Sequence, residues 1–302
     1  MERMNIEYGL FAHNYGDIYN LELLNSKIDV KTSSAFVGNI VGYNLNNVTN
    51  CISSGDIIVE AQSTTRIGGI SGSNRSTSLI TDCKNYTNLN VKKSNEISTV
   101  SVGGIAGTGA NITRCANYGN IITESYSIED ISVGGICGTS STKLVIQECF
   151  NKGIINVPES KGKLKVGGIL GYGSAATINN CYNTEKITIS GEQSEIRVGG
   201  IAGYNYGGLS YKISNCYNVG KLDVESMANL GEIIGNNYET TVEYCYYLDS
   251  SGNKGVGFNN AGIDNSISVS DIMSDELLEN LNSNQSSTIW KKGNSYLELY
   301  WE

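Results

Sequence analysis

The chain has 302 residues and a net charge of −9, from 30 acidic and 21 basic side chains. A surface of this sign repels phosphate backbones and anionic lipids, so we expect no nucleic-acid partner and no docking on anionic membranes. No stretch approaches the ~18 apolar residues of a membrane span, which argues against direct membrane insertion. The 36 glycines do not recur at every third position, which excludes collagen.

The chain begins in mid-pattern. Residues 9–14, Gly-Leu-Phe-Ala-His-Asn, already resemble residues 200–205, Gly-Ile-Ala-Gly-Tyr-Asn. The final residues stop as abruptly. We therefore expect a monomeric module of a larger chain.

One six-residue phrase, typified by Val-Gly-Gly-Ile-Ala-Gly at residues 102–107, dominates the sequence. Its first glycines lie 30, 35, 31, 33, 32 and 32 residues apart. Self-similarity at such a period is typical of solenoids and repeat arrays. The seven copies cover residues 37–42, 67–72, 102–107, 133–138, 166–171, 198–203 and 230–235.

A second phrase follows each copy: a branched aliphatic residue, two variable residues and a cysteine, often with asparagine two positions later. A short segment with alternating apolar residues comes next, as in Ile187 and Ile189. Alternation of period two predicts strands, and no helical period of 3.6 is present in the repeats. The sequence therefore predicts an all-β fold, a right-handed parallel β-solenoid (β-helix) of about 7–8 coils over residues 1–250.

The glycines of the phrase need a structural reason. Glycine within a strand marks a bend or the close approach of another backbone, so we expect the Gly-Gly pair to make room for a neighbouring wall. We expect the last glycine of each phrase to adopt a positive φ at a corner.

Seven of the eight cysteines recur once per repeat, and Leu21 occupies their position in the first unit. Leucine at this position indicates that the position requires a small apolar side chain and not a thiolate. We therefore expect a ladder of buried, reduced thiols. Cys137 stands in the slot that Ala106 and Ala202 fill elsewhere. A zinc site is disfavoured, because the chain has no Cys-x-x-Cys pair and one histidine. Asparagines two positions after the cysteines predict a hydrogen-bonded ladder.

After residue 249 the repeat fails. Ser274-Asp275-Glu276 reads as a helix start, with a capping side chain followed by acidic residues in the first turn. Solenoid ends expose a core and unpaired strands. We therefore expect residues 251–302 to form a small α/β cap, with a short helix, against the last coil.

Candidate catalytic groups are few. The chain lacks His-Glu-x-x-His, and its one histidine, His13, is expected in a loop or on the surface. Acidic residues gather in the variable loops before each phrase, among basic ones, and a solvated mixed-charge edge is the expected reading. We predict no catalytic residue, no cofactor and no metal. The loop acids are Glu96, Glu124, Glu129, Asp130, Glu159, Glu192 and Glu195.

Aromatic residues follow the cysteine in several units: Phe150, Tyr182, Tyr217 and Tyr246. If the cysteines face inward, these rings face outward. Two arrangements follow: an exposed stripe that stacks on sugar rings or on a partner protein, or a ladder of rings stacked on one another and partly covered by a loop. The stripe is the candidate ligand-binding site.

The two phrases together resemble the GLUG-motif repeats of bacterial cell-surface proteins, over roughly residues 9–250. Asn39 and Glu232 depart from the pattern, because each replaces the second glycine. The resemblance implies an adhesin-like context, and such repeats also occur beside the protease domain of IgA-cleaving metallopeptidases.

The functional expectation is a non-catalytic extracellular binding or spacer module of a bacterial surface protein, secreted or displayed on the cell. Its ligand would be a host protein or a carbohydrate. Two alternatives stay open: a carbohydrate-active β-helix enzyme of the polysaccharide lyase or hydrolase type, and a purely structural stalk.

Overall fold

The computed structural model describes residues 6–32, 34–92, 99–124, 130–158, 162–191, 195–225, 229–248 and 252–302. Over these ranges the chain is nearly all β-structure, and its strands stack in parallel as a β-solenoid of about seven turns. One short helix lies near the C-terminus of the described chain. The predicted all-β, parallel solenoid class is therefore confirmed.

Three parallel sheets form the walls. The first sheet contains Ile6–Tyr8, Ala35–Gly38, Thr65–Gly68, Val100–Gly103, Asp130–Gly134, Lys163–Gly167, Glu195–Gly199 and Asn229–Gly231. The second contains Phe11–Asn14, Val41–Asn44, Ser71–Asn74, Ala106–Thr108, Cys137–Ser140, Leu170–Ser174, Ala202–Tyr206, Ile234–Tyr238 and Val256–Asn260.

The third sheet carries the cysteine phrase and the alternating segment. Its members are Ile18–Tyr19, Glu22–Thr32, Val48–Thr49, Ile52–Ala61, Leu79–Thr81, Lys84–Lys92, Asn111–Thr113, Ala116–Asn117, Ile121–Thr123, Leu144–Gln147, Phe150–Asn151, Ile155–Val157, Ala176–Asn179, Tyr182–Asn183, Ile187–Ile189, Lys212–Ser214, Tyr217–Asn218, Leu222–Val224, Thr241–Leu248 and Ile263–Val269.

The six-residue phrase divides the core into two apolar columns. Its valine, for example Val133, packs with the alternating segment that contains Ile155 and Val157. Its isoleucine, Ile136, packs with the column that contains Cys149. These side chains are fully buried, and each large aliphatic contributes roughly 1.5–3 kcal/mol of transfer free energy. Repetition of the phrase thus builds a continuous core along the rod.

The predicted ladder of buried thiols is confirmed, and all eight cysteines are free. The backbone N–H of Cys149 donates to Sγ of Cys181 at 3.4 Å, and the N–H of Cys181 donates to Sγ of Cys216 at 3.4 Å. The Cys181 thiol in turn donates to the carbonyl of Asn179 at 3.2 Å. Each thiol is therefore held by backbone groups of its own coil and of a neighbouring coil.

The tight corner of each coil lies immediately before the cysteine, and not at the last glycine of the phrase. The residues at this position have φ between 49° and 56°, in the left-handed region. They are Asn20, Asn50, Asp82, Arg114, Glu148, Asn180, Asn215 and Tyr244. The prediction of a positive φ at the last glycine is wrong. That glycine is extended, and a Cβ on Gly107 would lie 2.3 Å from the carbonyl oxygen of Gly72.

The asparagines form the expected ladder inside the solenoid. Asn117 donates through Nδ2 to Oδ1 of Asn151 at 2.8 Å, and Asn151 donates in the same way to Asn183 at 2.8 Å. Each amide also donates to the backbone carbonyl two residues ahead, such as that of Gly153 at 2.8 Å from Asn151. The series ends on Glu232, whose Oε2 accepts from Asn218 at 2.9 Å. Buried amides satisfied in this way hold successive coils in register.

Parallel pairing continues beyond residue 250. Val256–Asn260 pairs with Ile234–Tyr238 in the second sheet, and Ile263–Val269 pairs with Thr241–Leu248 in the third. A helix, Asp275–Asn282, follows, and the Ser274 hydroxyl accepts from the N–H of Leu277, as its capping role predicts. Trp290–Lys292 and Leu297–Leu299 then form an antiparallel hairpin.

Candidate binding groove

The predicted aromatic stripe is a buried ladder. Phe150 and Tyr182 stack at a centroid distance of 5.0 Å, and Tyr182 and Tyr217 stack at the same distance. All three are fully buried and Tyr246 is 3% exposed. The helix and the hairpin of residues 275–299 lie over them and share one apolar cluster with them. Of the two expected arrangements, the ladder of stacked and covered rings is therefore the one found, and the exposed stripe is wrong: the rings face outward from the solenoid but lie beneath this C-terminal cover.

The cover also differs from the expected end cap, because it packs on the side of the rod. The Glu302 carboxylate accepts from the Tyr182 hydroxyl at 2.7 Å and from Lys152 Nζ at 2.7 Å. Trp290 Nε1 donates to Asn180 Oδ1 at 3.3 Å, and the Tyr217 hydroxyl donates to the Leu297 carbonyl. Burial raises the pKa of Tyr182 and Tyr217 well above the usual range. Because the C-terminal cover buries these rings, sugar rings have no access to this surface.

A second lateral surface is open. The six-residue phrase bends so sharply that the residue before it and the residue after it point to the same side, across a concave crease between the first and second sheets. Arg66 Nη1 donates to Ser73 Oγ at 3.1 Å across this crease, and Lys165 Nζ lies 5.2 Å from the ring centroid of Tyr172. The first-sheet row is Phe36, Arg66, Ser101, Ser132, Lys165, Arg197 and Asn229. The second-sheet row is Tyr43, Ser73, Thr108, Thr139, Tyr172, Tyr204 and Asn236.

Small hydroxyl residues form the floor of the crease at its middle. Ser101 and Ser132 lie in adjacent first-sheet strands, opposite Thr108 and Thr139 in the second sheet. The space above them, which we call the central groove, has a volume of about 560 Å³. Ligand sites in proteins typically measure roughly 300–1,000 Å³. Within the described chain no hydrogen bond engages the hydroxyls of Ser101, Ser132 or Thr139, so they are available to a ligand.

Arg66 stands at the N-terminal end of the central groove. Its guanidinium lies 5.0 Å from the ring centroid of Phe36 and donates to Ser73, so the side chain is held on two sides. No carboxylate of the described residues lies within 4 Å of it. Burial lowers the pKa of Arg66 from its ordinary value, which reflects a cation that has lost water without gaining an acidic partner.

The C-terminal end of the central groove carries a paired cation and stacked rings. Lys165 Nζ lies 2.9 Å from Oδ1 of Asp130. Tyr172 stacks on Tyr204 of the next coil at 5.4 Å, with an angle of 4° between the rings. Arg197, further along the crease, is paired with Glu195. Of these cations, Arg66 alone lacks an acidic partner within the described ranges.

The loop acids form no site in the described chain. Asp130 and Glu195 are paired with cations, whereas Glu96, Glu129, Glu159 and Glu192 lie outside the described residues. Over the described ranges no group of three potential metal ligands occurs, and no helix has the length and apolar character to cross a membrane. His13 lies in a strand beside Glu7, with its Nε2 3.8 Å from Oε1.

The groove residues were missed because they vary. The repeated phrase attracts attention to its constant positions, whereas Arg66, Ser132 and Tyr172 occupy its flanks, where the residue type changes along the array. The signal that would find them is positional. The residues immediately before and after each phrase are small hydroxyls in the middle coils, and large cationic or aromatic side chains lie in the coils on either side of them.

Neither the family models nor the curated proteins contain a match to this chain. Among solved structures, the chain is similar to a crystal structure from Bacteroides ovatus that is provisionally described as an immunoglobulin A1 protease. The sequence identity is 16% and the TM-score 0.35, over 95% of this chain and 69% of the other.

Proposed function

We propose that the protein is a non-catalytic binding module that holds a carbohydrate ligand in the central groove. The observation that carries the proposal is the unpaired hydroxyl floor of Ser101, Ser132 and Thr139, enclosed between Arg66 and Tyr172. Sugars present a dense array of hydroxyl groups, and hydroxyl side chains can donate to them and accept from them. Aromatic rings add the apolar contact area that such polar sites need.

The described lining supports binding rather than hydrolysis. Most glycoside hydrolases require two carboxyl groups, about 5–10 Å apart, on either side of the scissile bond. Asp130 is the one carboxylate among the described residues that line the central groove, and it is paired with Lys165. The rod also offers rigid display, because ladder hydrogen bonds hold each coil to the next. The resemblance of the repeats to bacterial surface proteins supports an extracellular, adhesin-like setting.

A glycan array probed with the full chain tests the proposal, followed by calorimetry on the best ligand. The decisive variant is Thr139→Tyr. Tyrosine already occupies this row at Tyr43 and Tyr172, so the repeat accommodates the larger ring while the ring fills the groove. Thr188→Tyr, on the outer face of the third sheet, is the matched control.

We expect Thr139→Tyr to abolish binding and Thr188→Tyr to leave the dissociation constant unchanged, with equal melting temperatures for all three proteins. If Thr139→Tyr binds the ligand as tightly as the unsubstituted protein, the ligand does not bind in the central groove. An array without any ligand would favour a purely structural stalk. Turnover of a polysaccharide would favour the enzyme alternative.

A further inference from the structure

We propose that the central groove recognises the carboxylate of an acidic sugar and that Arg66 is the residue that binds it. The inference rests on the proposed carbohydrate-binding function and adds the charge of the ligand. Uronic acids and sialic acids share this chemistry. What separates them is the sugar ring that would lie over the hydroxyl floor.

The first argument is the state of Arg66. A guanidinium has five N–H donors in a planar fork that matches a carboxylate in two-point contact. One donor of Arg66 is used by Ser73, and the described residues provide no acceptor for the others. The Phe36 ring, whose centroid lies 5.0 Å from Cζ of Arg66, restricts the group on a second side. Such an arginine is preorganised for an anion, because little side-chain entropy remains to be lost on binding.

The second argument is the contrast with the neighbouring cations. Lys165 and Arg197 occupy the same row as Arg66, and each is neutralised by an acid next to it. If Arg66 served only to offset the negative charge of the chain, it too would be expected to pair with an acidic residue. Its guanidinium is instead left half-buried and unneutralised beside open volume.

The third argument is the local sign of charge. The chain as a whole carries −9, so an acidic glycan is repelled by most of its surface. The described lining of the central groove has the opposite balance, with Arg66, Arg75 and Lys165 against Asp130. An anionic ligand is therefore attracted to this groove and repelled by the rest of the surface.

Isothermal calorimetry with four probes tests the inference. Two are a short oligomer of galacturonic acid and sialyllactose, and the others are their carboxyl-methyl esters, which keep the sugar and remove the charge. The variant is Arg66→Gln, which removes the charge at a row position that is serine in the next two coils. Arg114→Gln, whose arginine pairs with Asp82 on another face, is the matched control.

We expect at least one acid to bind about tenfold to a hundredfold more tightly than its ester, as charge-assisted hydrogen bonds predict. Arg66→Gln should erase this difference and Arg114→Gln should keep it. The acid that binds identifies the class of sugar.

Equal binding of acid and ester, blocked by Thr139→Tyr, would overturn the inference and leave the proposed function standing. Failure of all four probes would overturn the inference, while the glycan array decides the proposed function separately. Poly-glutamate that binds as tightly as the acid sugars would also overturn it, because the groove would then recognise charge without sugar.

Discussion

Gly135 and Asn151 share one space in the fourth copy of the phrase. A Cβ on Gly135 would lie 2.4 Å from Cγ of Asn151 and 2.0 Å from the carbonyl oxygen of Gly168. The second position of the phrase therefore has to lack a side chain, because the asparagine ladder occupies that space. The two copies that lose this glycine also lose the asparagine: Asn39 is matched by Ser53 and Glu232 by Tyr247. The glycine and the amide form one structural unit.

Gly135→Ala should therefore lower the stability of the solenoid strongly. Overpacking costs about 1–3 kcal/mol, and we expect the upper end because backbone and a buried amide both obstruct the methyl group. Thermal denaturation followed by circular dichroism measures the effect. Gly16→Ala is the matched control, since its Cβ meets no atom within 4 Å. In a cycle with Asn151→Ser, the double variant should lose less than the sum of the single variants, and strict additivity would argue against a shared volume.

A further left-handed residue, which lies outside the tight corners before the cysteines, predicts a substitution that stabilises the protein. Glu239 is exposed and has φ of 56°, a conformation that costs an L-residue about 1–2 kcal/mol. Glu239→Gly should recover part of this cost and raise the melting temperature. The same exchange at Glu279, exposed within the helix Asp275–Asn282, should lower helix stability by about 1 kcal/mol. A change of melting temperature in the same direction for the two variants would contradict the left-handed conformation of Glu239.

Stability at alkaline pH should depend on the buried thiols. Burial raises the pKa of Cys137 from 9.0 to about 12. The folded protein keeps this proton where the unfolded chain releases it, so the stabilising effect is complete below pH 9 and is lost as the pH rises to about 12. At about 1.4 kcal/mol per pKa unit, the loss reaches roughly 4 kcal/mol. Urea titrations at several pH values should show a shallower decline for Cys137→Ala, an exchange that the aligned Ala106 makes conservative. If the free energy of unfolding falls equally with pH in both proteins, Cys137 does not contribute to the loss of stability.

The sequence was sufficient for the coil because the information is local and periodic. A residue such as Ile146 and its cysteine, Cys149, lie in one short phrase, and each coil repeats the same environment. When similar coils stack, the side chains at equivalent positions align along the axis, and no long-range contact is needed to specify this. The ladders of thiols and amides could therefore be predicted before any coordinates.

The lateral surfaces could not be predicted in the same way. Phe150 and Leu281 belong to one cluster although more than a hundred residues separate them, and no local pattern pairs them. The crease depends on how sharply the phrase bends, because only a sharp bend brings Arg66 opposite Ser73. Bend angle and long-range docking are tertiary properties, so the aromatic stripe and the open groove were not distinguishable by spacing alone.

The C-terminal cover should detach as a unit when its central contact is removed. Trp290 is 1% exposed, lies 5.4 Å from the ring of Tyr217 and donates to Asn180. Trp290→Ala should cost about 3–5 kcal/mol, more than a small helix and hairpin are expected to retain. Hydrogen exchange should then show loss of protection over residues 275–299 with the coils still protected, together with binding of a hydrophobic dye to the uncovered rings.

Tyr300→Ala is the control for this experiment, because the Tyr300 ring is 66% exposed and contributes little burial. If the coils at Tyr182 and Tyr217 lose protection together with the cover, the solenoid wall and the cover form one cooperative unit. If protection over the cover is unchanged, the polar contacts of Glu302 with Lys152 and Tyr182 hold it without the indole. Only selective loss over residues 275–299 agrees with a cover that docks on a preformed ladder, since solenoid coils are stabilised chiefly by their neighbours along the axis.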